Sequence, residues 1–570
     1  MSQFFKTLLA AGCALALGVA ALFAEKTNVI VFLVDDMGYS DPGYMGGEAE
    51  TPHLNQLSKE GVTFTNCYNN AKCAPSRAAL MTGMSCQRVK AFKSKGNIAA
   101  NNAASIAEIL AEQGYATIHA GKWHIAPDPL QSGFQNHFGV NLAPFYFKRD
   151  VIGLPGREKL PHPLMLEGER VDGHTLPDDW YGTRAYTDYA IEKIKEKALD
   201  QDKPFFLYLA INAPHGPLEA PKEVVDKYVN RYDEGTDVAR KQRYDRLVEL
   251  GVINPETLKL PEMPKNKDGE AQTWDTFNEK EQRLFKRKLA IAAAMIDIID
   301  QETGKLIQFL KDTEQYENTL LIFLSDNGAT AEQGVYGGLP FDTMTNEDID
   351  VLGTRSGMKG GTSGGVVAAV QNVPYRGYKT SLWDGGMHTS MIINWPGHMS
   401  AAASRDFVRT PVSIYDLAPT IYAATGVEYP KEINGRELKN MDGVNILPLL
   451  VGQELDDRYI RYAYKGDQVI RNDKFKLLGK RGKKSTIWAL YDLQVDASET
   501  TDVIDQYPEQ AKELIAEWER FDEYANIANG YDGFFANKGQ KAKESGDSDE
   551  GKQTKKKGKK QTDRSEQTTQ

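Results

Sequence analysis

This chain of 570 residues has no excess of basic residues, because 68 Lys and Arg stand against 79 Asp and Glu and give a net charge of −11. Proteins that bind nucleic acid normally present a basic surface to the phosphates, so this balance disfavours a nucleic-acid partner. After residue 24 the sequence also lacks an apolar run long enough to span a bilayer. Hydrophobic residues still make up 41% of the chain, which suffices for a large packed core and excludes disorder throughout.

Cysteine is scarce, and the chain contains only Cys13, Cys67, Cys73 and Cys86. Residues 1–24 begin with a short polar stretch, continue with an apolar run and end in small residues, which is typical of a cleaved secretory signal. An uncleaved anchor is the alternative. We therefore expect an exported protein, periplasmic or secreted, without stable membrane insertion. In an oxidising compartment Cys67 and Cys86 either form a disulfide or remain small core residues.

Apolar runs at residues 28–34, 205–211 and 320–324 predict strands that are buried on both faces. Each run is followed at once by polar residues, at Asp35 and Asp36, at Asn212 to His215 and at Ser325 to Gly328. Helical patterns lie between the strands, at 105–113 and around 291–306, and this alternation indicates a mainly parallel α/β sheet. Because open α/β sheets bind ligands at the carboxyl ends of their strands, we expect these polar residues to share one edge.

The pattern of apolar and polar residues changes after residue 450. Short alternating segments at 468–478 and 485–493 predict strands, and a pattern at 508–525 predicts a helix. The last residues are dominated by Lys, Gln, Ser and Asp and cannot bury enough surface to fold. The expected organisation is a signal, a main domain, a small antiparallel subdomain and a disordered tail, at residues 1–24, 25–450, 451–537 and 538–570.

The most informative segment reads Cys-Ala-Pro-Ser-Arg at 73–77 and is followed by Thr-Gly at 82–83. Pro75 suits the first turn of a helix and Gly83 can end it, so Cys73 is expected at a helix N-terminus. Unpaired N–H groups and the helix dipole attract anions there, and Arg77 adds a positive charge. On this pattern alone, Cys73 is either a thiolate nucleophile or a buried cysteine beneath a helix start.

Acidic residues at two of the predicted strand ends indicate a metal site. The candidate ligands are three carboxylates and one amide, from Asp35, Asp36, Asp326 and Asn327. Such hard oxygen donors select Ca²⁺ or Mg²⁺ over Zn²⁺. Either pair alone is equally explained as an ordinary turn. Their occurrence together with Cys73 favours the metal interpretation.

The Cys-x-Pro-Ser-Arg segment resembles the signature of type I sulfatases, which belong to the alkaline phosphatase superfamily. Further motifs of this family occur in the same order, at Gly121 to His124, Pro214 to Pro217, Arg376 to Lys379 and Trp383 to Gly386. Residues 28–450 carry the resemblance, and the C-terminal subdomain with its Leu-Tyr-Asp-Leu segment at 490–493 also resembles the family. It implies a large mixed, mainly parallel sheet flanked by helices, with a smaller C-terminal antiparallel α+β subdomain. It also implies that a maturation enzyme oxidises Cys73 to Cα-formylglycine.

The resemblance implies roles for single residues as well. One calcium ion would be held by Asp35, Asp36, Asp326, Asn327 and the modified residue 73. Arg77 would orient the hydrated formylglycine, whose hydroxyl attacks sulfur, and His124 would remove a proton from the second hydroxyl to expel sulfate. His215, with Lys379, would protonate the leaving group. Lys122 and Lys379 would stabilise the transferring group, so that His215 and both lysines bind substrate.

The implied activity is hydrolysis of a sulfate ester, with a sulfated carbohydrate or an aryl sulfate as substrate. A formylglycine-dependent phosphonate or phosphodiester hydrolase stays open, because tetrahedral oxyanions have similar geometry. So does an inactive calcium-dependent glycan-binding protein in which Cys73 is never modified. Segments 146–149, 174–180 and 335–355 are candidates for lining sugar subsites. His53, His119 and His388 are expected to be structural.

Overall fold

The computed structural model describes residues 26–91, 96–142, 144–153, 162–399, 407–482 and 485–525. The expected signal at 1–24 and the expected tail at 538–570 lie outside the described residues. Among the described residues, no helix combines the length and the apolar composition needed to cross a membrane.

A mixed sheet of ten strands, called the main sheet below, carries the larger part of the chain. Its strands are β1 (Asn28–Asp35), β2 (Val62–Tyr68), β3 (Ala116–Lys122), β4 (Asn136–Val140), β5 (Leu164–Leu166), β6 (Glu169–Arg170), β7 (Phe205–Pro214), β8 (Thr319–Ser325), β9 (His388–Asn394) and β10 (Val412–Ser413). The spatial order is β10-β2-β9-β8-β1-β7-β3-β4-β5-β6. Strands β8, β1, β7, β3 and β4 run parallel, whereas β9 is antiparallel to both of its neighbours. The prediction of a mixed, mainly parallel sheet is confirmed.

Helices flank the main sheet. They are α1 (Pro52–Glu60), α2 (Cys73–Thr82), α3 (Ile106–Glu112), α4 (Lys148–Ile152), α5 (Gly182–Lys197), α6 (Lys222–Val225), α7 (Thr236–Glu249), α8 (Glu279–Asp312), α9 (Asn346–Asp350), α10 (Gly364–Gln371), α11 (Asp384–Met387) and α12 (Leu417–Thr425). The predicted helices at 105–113 and 291–306 correspond to α3 and α8. Ser105 caps α3 as expected, because its side chain accepts a hydrogen bond from the Glu108 amide.

Strand β1 shows why its sequence is apolar at consecutive positions. Ile30, Phe32 and Val34 pack into one core cluster together with α8. Val29, Val31 and Leu33 point to the opposite face and pack with α2, α3 and α12. Since successive side chains of a strand alternate between faces, a strand covered on both sides needs an apolar residue at every position.

The C-terminal sheet is a separate four-stranded antiparallel sheet. It consists of β13 (Ile460–Tyr464), β14 (Asp467–Arg471), β15 (Phe475–Arg481) and β16 (Thr486–Asp492), while β11 (Glu432–Ile433) and β12 (Arg436–Glu437) form a small hairpin before it. Helix α13 (Pro508–Ala525) covers one face. The other face packs on the larger part through Tyr68, Cys86, Leu382 and Met387.

The prediction of one strand over 468–478 was wrong, because a turn divides this segment into β14 and β15. Asn472 accepts hydrogen bonds at its Oδ1 from the amides of Lys474 and Phe475, at 3.0 and 2.7 Å. An asparagine that bonds to its own following backbone forms a turn of this kind. The two alternatives for Cys67 and Cys86 are also decided, since both residues are buried and free. They are small core residues, the second of the two alternatives.

Candidate active site

Seven of the predicted site residues lie at the carboxyl ends of four strands that are neighbours in the main sheet, β8, β1, β7 and β3, whereas Cys73 and Arg77 lie on α2 and Lys379 lies between α10 and α11. Strands β1 and β8 pair in parallel up to Val34 and Ser325. The next residues, Asp35 and Asp326, therefore lie at the same level. His215 follows β7, and Lys122 is the last residue of β3. Register thus brings together residues from distant parts of the sequence, at the edge where open α/β sheets bind ligands.

Cys73 is the first residue of α2, as predicted, and Gly83 ends that helix with φ 67°. The Cys73 side chain is buried, and its Sγ lies 4.0 Å from Asp36 Oδ1. Burial raises the pKa of the thiol, with the Asp35 charge acting in the same direction and Lys122 opposing it. An unmodified thiol therefore stays protonated, which argues against Cys73 as a thiolate nucleophile.

Three buried ion pairs join the strand ends. They are Lys122 Nζ with Asp35 Oδ2 at 2.5 Å, Arg77 Nη2 with Asp326 Oδ2 at 2.8 Å, and Lys379 Nζ with Asp36 Oδ1 at 2.8 Å. The guanidinium of Arg77 also donates to the Lys122 carbonyl oxygen at 2.6 Å, which ties α2 to β3. These pairs sum to zero charge, so a divalent cation bound among them would leave a net charge of +2 that attracts an anionic ester.

Two oxygen atoms in the site are suited to binding a metal ion. Asp35 Oδ1 and Asn327 Oδ1 are buried and have no hydrogen-bond partner. The Asn327 amide is fixed because its Nδ2 donates to Asp36 Oδ1 at 2.6 Å. Single ligand atoms of Asp35, Asp36, Cys73 and His215 also lie within 4.8 Å of one another. Buried oxygens without a donor are costly, and oxygen ligands of this type suit Ca²⁺.

The Asp35 and Asp326 carboxyl groups have opposite pKa shifts. Burial alone would raise the pKa of Asp35, but Lys122, His215 and Arg77 hold it well below its ordinary value. Burial raises the pKa of Asp326 to about 7, and the Asp35 charge adds to this effect while Arg77 opposes it. Like-charged carboxylates in a shared site favour protonation of one of them. A divalent cation at this place would relieve that repulsion.

His124 follows β3 and is buried, and its Nδ1 has no hydrogen-bond partner. Burial lowers its pKa well below the ordinary value, and the positive charges of Lys122 and Arg77 lower it further. The ring is therefore neutral at neutral pH and able to accept a proton.

His215 is the most accessible of the predicted site residues, with 21% of its side chain exposed. Its Nδ1 donates to the Gly216 carbonyl oxygen at 2.6 Å, so Nε2, which lies 3.5 Å from Asp36 Oδ2, is the nitrogen that gains or releases a proton. Burial lowers the pKa of His215, while the Asp36 charge opposes this shift. The ring thus presents one nitrogen to the interior of the site and remains reachable from solvent.

Three residues of the site have an unfavourable backbone conformation. Asp36, His124 and Thr380 have φ values of 65°, 65° and 71°, although none of them is glycine. Left-handed backbone is unfavourable for such residues, above all for a β-branched one. Conformations of this kind persist only where the surroundings determine them, and they are concentrated at functional sites.

The candidate subsite segments contact one another. Arg149 Nη1 donates to the Arg355 carbonyl oxygen at 2.6 Å, and Lys148 Nζ lies 2.8 Å from Asp178 Oδ1. Tyr146, however, is fully buried, and its hydroxyl donates to the His215 carbonyl oxygen at 2.6 Å. The expectation that Tyr146 lines a subsite was wrong, because the Tyr146 side chain is buried and supports the backbone of the His215 motif.

Two contributors were missed by sequence reasoning. Asn372 accepts from the Ala329 amide at 2.9 Å and donates to the Gly377 carbonyl at 3.1 Å, so it joins the segment after β8 to the Lys379 segment. No motif signals this residue. Asp384 belongs to the motif Trp383 to Gly386, but the sequence predicted no role for it. Its carboxylate accepts a hydrogen bond from the Tyr68 hydroxyl at 3.0 Å.

His119 and His388 were expected to be structural, and their contacts agree with this. His119 Nδ1 lies 2.8 Å from His137 Nδ1 in the core. His388 stacks on Tyr68 and Tyr375, with ring centroids 4.7 and 4.3 Å apart, and its Nε2 donates to the Thr65 carbonyl oxygen.

The strand ends of this mainly parallel sheet bring oxygen ligands for a cation together with buried positive charges, close to the N-terminus of α2. Such an arrangement can bind an ester of a tetrahedral oxyanion and support its hydrolysis. The Sulfatase family model matches residues 27–427, and the model described as N-sulphoglucosamine sulphohydrolase, C-terminal, matches residues 378–523. The chain therefore belongs to the sulfatase family and is a sulfuric ester hydrolase.

Individual relatives agree with this assignment. The chain is 32% identical over 453 residues to an arylsulfatase of Klebsiella aerogenes, covering 76% of this chain and 94% of the relative. It is 27% identical over 476 residues to the human N-acetylgalactosamine-6-sulfatase, covering 78% and 70% of the two chains. The crystal structure of Ps i-CgsB in complex with k-i-k-neocarrahexaose is similar with a TM-score of 0.60 and 26% identity, covering 87% of this chain and 92% of that one.

Proposed function

We propose that this sulfatase is exported, to the periplasm or out of the cell, and removes sulfate from a sulfated carbohydrate. Its nucleophilic residue would be formylglycine formed from Cys73, and its cofactor would be one calcium ion. The proposed calcium ligands are residue 73 and the side chains of Asp35, Asp36, Asp326 and Asn327. The observation that carries the proposal is the meeting of these residues with three buried cations at the ends of four neighbouring strands.

The two groups that the chain would acquire supply the central chemistry. Calcium held by these residues would supply Lewis-acid polarisation and positive charge for an anionic ester. Formylglycine at position 73 would supply, in its hydrated form, a hydroxyl nucleophile and a second hydroxyl that can lose a proton. The free Oδ1 atoms of Asp35 and Asn327 support the oxygen-rich site that this chemistry needs.

The cationic side chains bind and orient the sulfate group. Lys122 and Lys379 are each fixed by a carboxylate, so their charges are in place before substrate arrives. Burial alone would lower the pKa of Lys379, but Asp36 raises it well above the ordinary value and keeps the ammonium charged. Arg77 is held by Asp326 and orients residue 73, four positions earlier on α2.

Two histidines move protons. Neutral His124 accepts a proton from the side chain of residue 73, which releases the sulfate bound there. His215 donates a proton to the leaving oxygen, and its partial exposure suits a residue that meets the departing alcohol. The half-buried Arg149 and the exposed Arg355 lie close to the His215 motif, and we assign them to the carbohydrate part of the substrate.

The names of the relatives support a carbohydrate substrate, since one is an N-acetylgalactosamine-6-sulfatase and another was crystallised with a neocarrahexaose. The test is to co-express the chain with a formylglycine-generating enzyme and compare kcat/KM on matched aryl sulfates, aryl phosphodiesters and defined sulfated oligosaccharides. We expect sulfates to be preferred and at least one oligosaccharide to exceed the aryl sulfate. A preference for phosphodiesters would contradict the proposal, and an unmodified thiol in an inactive protein would favour a glycan-binding role.

A further inference from the structure

The segment that carries Lys379 is a closed loop, residues 376–385, called the Lys379 loop below. The Gly385 amide donates to the Arg376 carbonyl oxygen at 2.8 Å and closes its base. At the other end of the loop, the Lys379 amide donates to the Ala329 carbonyl at 3.0 Å and the Thr380 amide to the Ala71 carbonyl at 2.7 Å. The loop therefore touches the segments that follow β8 and precede Cys73.

A residue that follows the C-terminal sheet holds both ends of this loop. Glu499 accepts at its backbone oxygen from Arg376 Nη1 at 2.6 Å and at its Oε2 from the Asp384 amide at 3.0 Å. Glu499 is buried and has φ 57°, a left-handed conformation that is uncommon for a residue other than glycine. Such strain is maintained only where several contacts determine the backbone.

Lys476 on β15 completes the arrangement. Its Nζ lies 2.5 Å from Asp384 Oδ1 and 2.5 Å from Glu499 Oε1, and all three side chains are buried. Burial alone would lower the pKa of Lys476, but the two carboxylates raise it above the ordinary value, so the ammonium stays charged. One buried cation thus binds the base of the Lys379 loop to the C-terminal sheet.

The loop needs such support because of its own conformation. Thr380 is β-branched and has φ 71°, and it directly follows the lysine that contacts Asp36. Hydrogen bonds to Ala71 and Ala329 hold the far end of the loop, while the contacts with Lys476 and Glu499 hold its base. Without a fixed base, the strained residue could relax and shift the Lys379 ammonium.

We propose that Lys476 and Glu499 are positioning residues of the sulfatase reaction, which hold the Lys379 loop so that Lys379 keeps its place beside Asp36. They act through Lys379 and touch no substrate themselves. The inference rests on the proposed role of Lys379 in binding the sulfate group. It gives the C-terminal sheet a part in the chemistry of the main sheet.

A double-mutant cycle tests this coupling. Lys476→Met should lower kcat/KM for an aryl sulfate by about 100-fold, because a shift of about 1 Å in a catalytic group has effects of this size. In a Lys379→Ala background the same substitution should lower kcat/KM by less than about twofold, since coupled residues are not additive. Equal losses in both backgrounds, or parent-like activity of Lys476→Met, would overturn the proposal.

Lys474→Met is the matched control. Lys474 precedes β15 and pairs with Asp492 at 3.6 Å, within the C-terminal part of the chain. We expect it to leave kcat/KM unchanged. If Lys476→Met does not fold, Glu499→Gln takes its place in the cycle, because it keeps the size of the side chain and removes only the charge that faces Lys476. Equal losses of kcat/KM in both backgrounds, or parent-like activity of Glu499→Gln, would then overturn the proposal.

Hydrogen exchange separates this inference from the proposed function. In either variant, amides of residues 376–387 should exchange faster, while those of β1 and β8 keep the exchange rates of the parent. Unchanged protection of the loop would contradict the positioning role even if activity falls. If the parent cleaves no sulfate ester but the loop still loses protection, the structural coupling stands and the proposed function fails.

Discussion

Lys379 Nζ lies 2.8 Å from Oδ1 and 2.9 Å from Oδ2 of Asp36, although 343 positions separate the two residues. The lysine thus contacts both oxygens of a carboxylate that we assign to the metal. Its charge is fixed by the same residue that would hold the cation. Sulfate binding and metal binding are therefore expected to depend on each other.

Removal of divalent cations should destabilise the folded protein. Without a cation, Asp35 Oδ1 and Asn327 Oδ1 stay buried without a partner. A ligand that binds only the folded state at a thousandfold excess over its Kd adds about 4 kcal/mol of stability. We expect calcium to raise the Tm of chelator-treated protein more than zinc does, as measured by differential scanning fluorimetry.

The control for the calcium effect is a pair of asparagine variants. Asn327→Ala removes a proposed ligand and should reduce the shift in Tm. Asn318→Ala changes an exposed amide that donates to the Lys26 carbonyl, far along β8 from the site, and should keep the full shift. Equal calcium shifts in both variants would contradict the assignment of Asn327.

Replacement of His124 should stop turnover after sulfate has been transferred to residue 73. The neutral, buried ring is placed to accept the proton whose removal releases sulfate. Loss of a general base typically costs about 10²–10⁴-fold in rate. His124→Ala should therefore release about one equivalent of phenol per enzyme in a burst, with a sulfated peptide visible by mass spectrometry. Steady turnover at the parent rate would exclude this role.

Arg77→Met should destabilise the protein more than the loss of a surface ion pair does. It leaves the buried Asp326 carboxylate without its cation, and breaking a buried pair costs about 3–5 kcal/mol. Arg283→Met breaks an exposed pair with Asp350 and should cost about 0–1 kcal/mol. Thermal unfolding of both variants after removal of calcium provides the comparison, and equal losses of Tm would contradict the expectation.

Stability should depend on pH through Lys288, which lies on α8 and donates to the Tyr336 carbonyl at 2.9 Å. Burial lowers the pKa of Lys288 from 10.5 to about 7. Between these pH values the unfolded chain binds the proton and the folded chain does not, so this group makes stability rise with pH. Each pKa unit corresponds to about 1.4 kcal/mol.

Lys288→Met tests that dependence. The variant should have a higher Tm than the parent below pH 7, and the difference should shrink as the pH rises toward 10.5. A difference in Tm that stays constant over this range would show that Lys288 does not titrate there. Lys288 is not one of the proposed calcium ligands, so calcium should not change the difference in Tm.

Much of the site was predictable because its signals are local. The apolar run of β1 and the paired acids after it can be recognised without coordinates, and so can Cys73 before Pro75. Parallel strands end at the same edge, which accounts for the meeting of Asp35 and Asp326. The presence of α3 and α8 and the extent of α13 also follow from local sequence patterns.

The rest depends on contacts that no local pattern encodes. Lys476 and Glu499 are ordinary charged residues in the sequence, and only the packing of the C-terminal sheet makes them a buried pair. Tyr146 has the aromatic side chain expected of a residue that lines a sugar subsite, but its hydroxyl donates to the backbone of the His215 motif instead. The division of 468–478 depends on the bonding of Asn472, which competes with strand continuation.

The most direct test of the account is release of inorganic sulfate from an aryl sulfate by protein whose residue 73 has been shown by peptide mass spectrometry to be formylglycine. Parent and Cys73→Ala should be compared at equal concentration with calcium present. The account predicts continuous sulfate release by the parent and none above background by Cys73→Ala. Sulfate release by Cys73→Ala at the rate of the parent would contradict it.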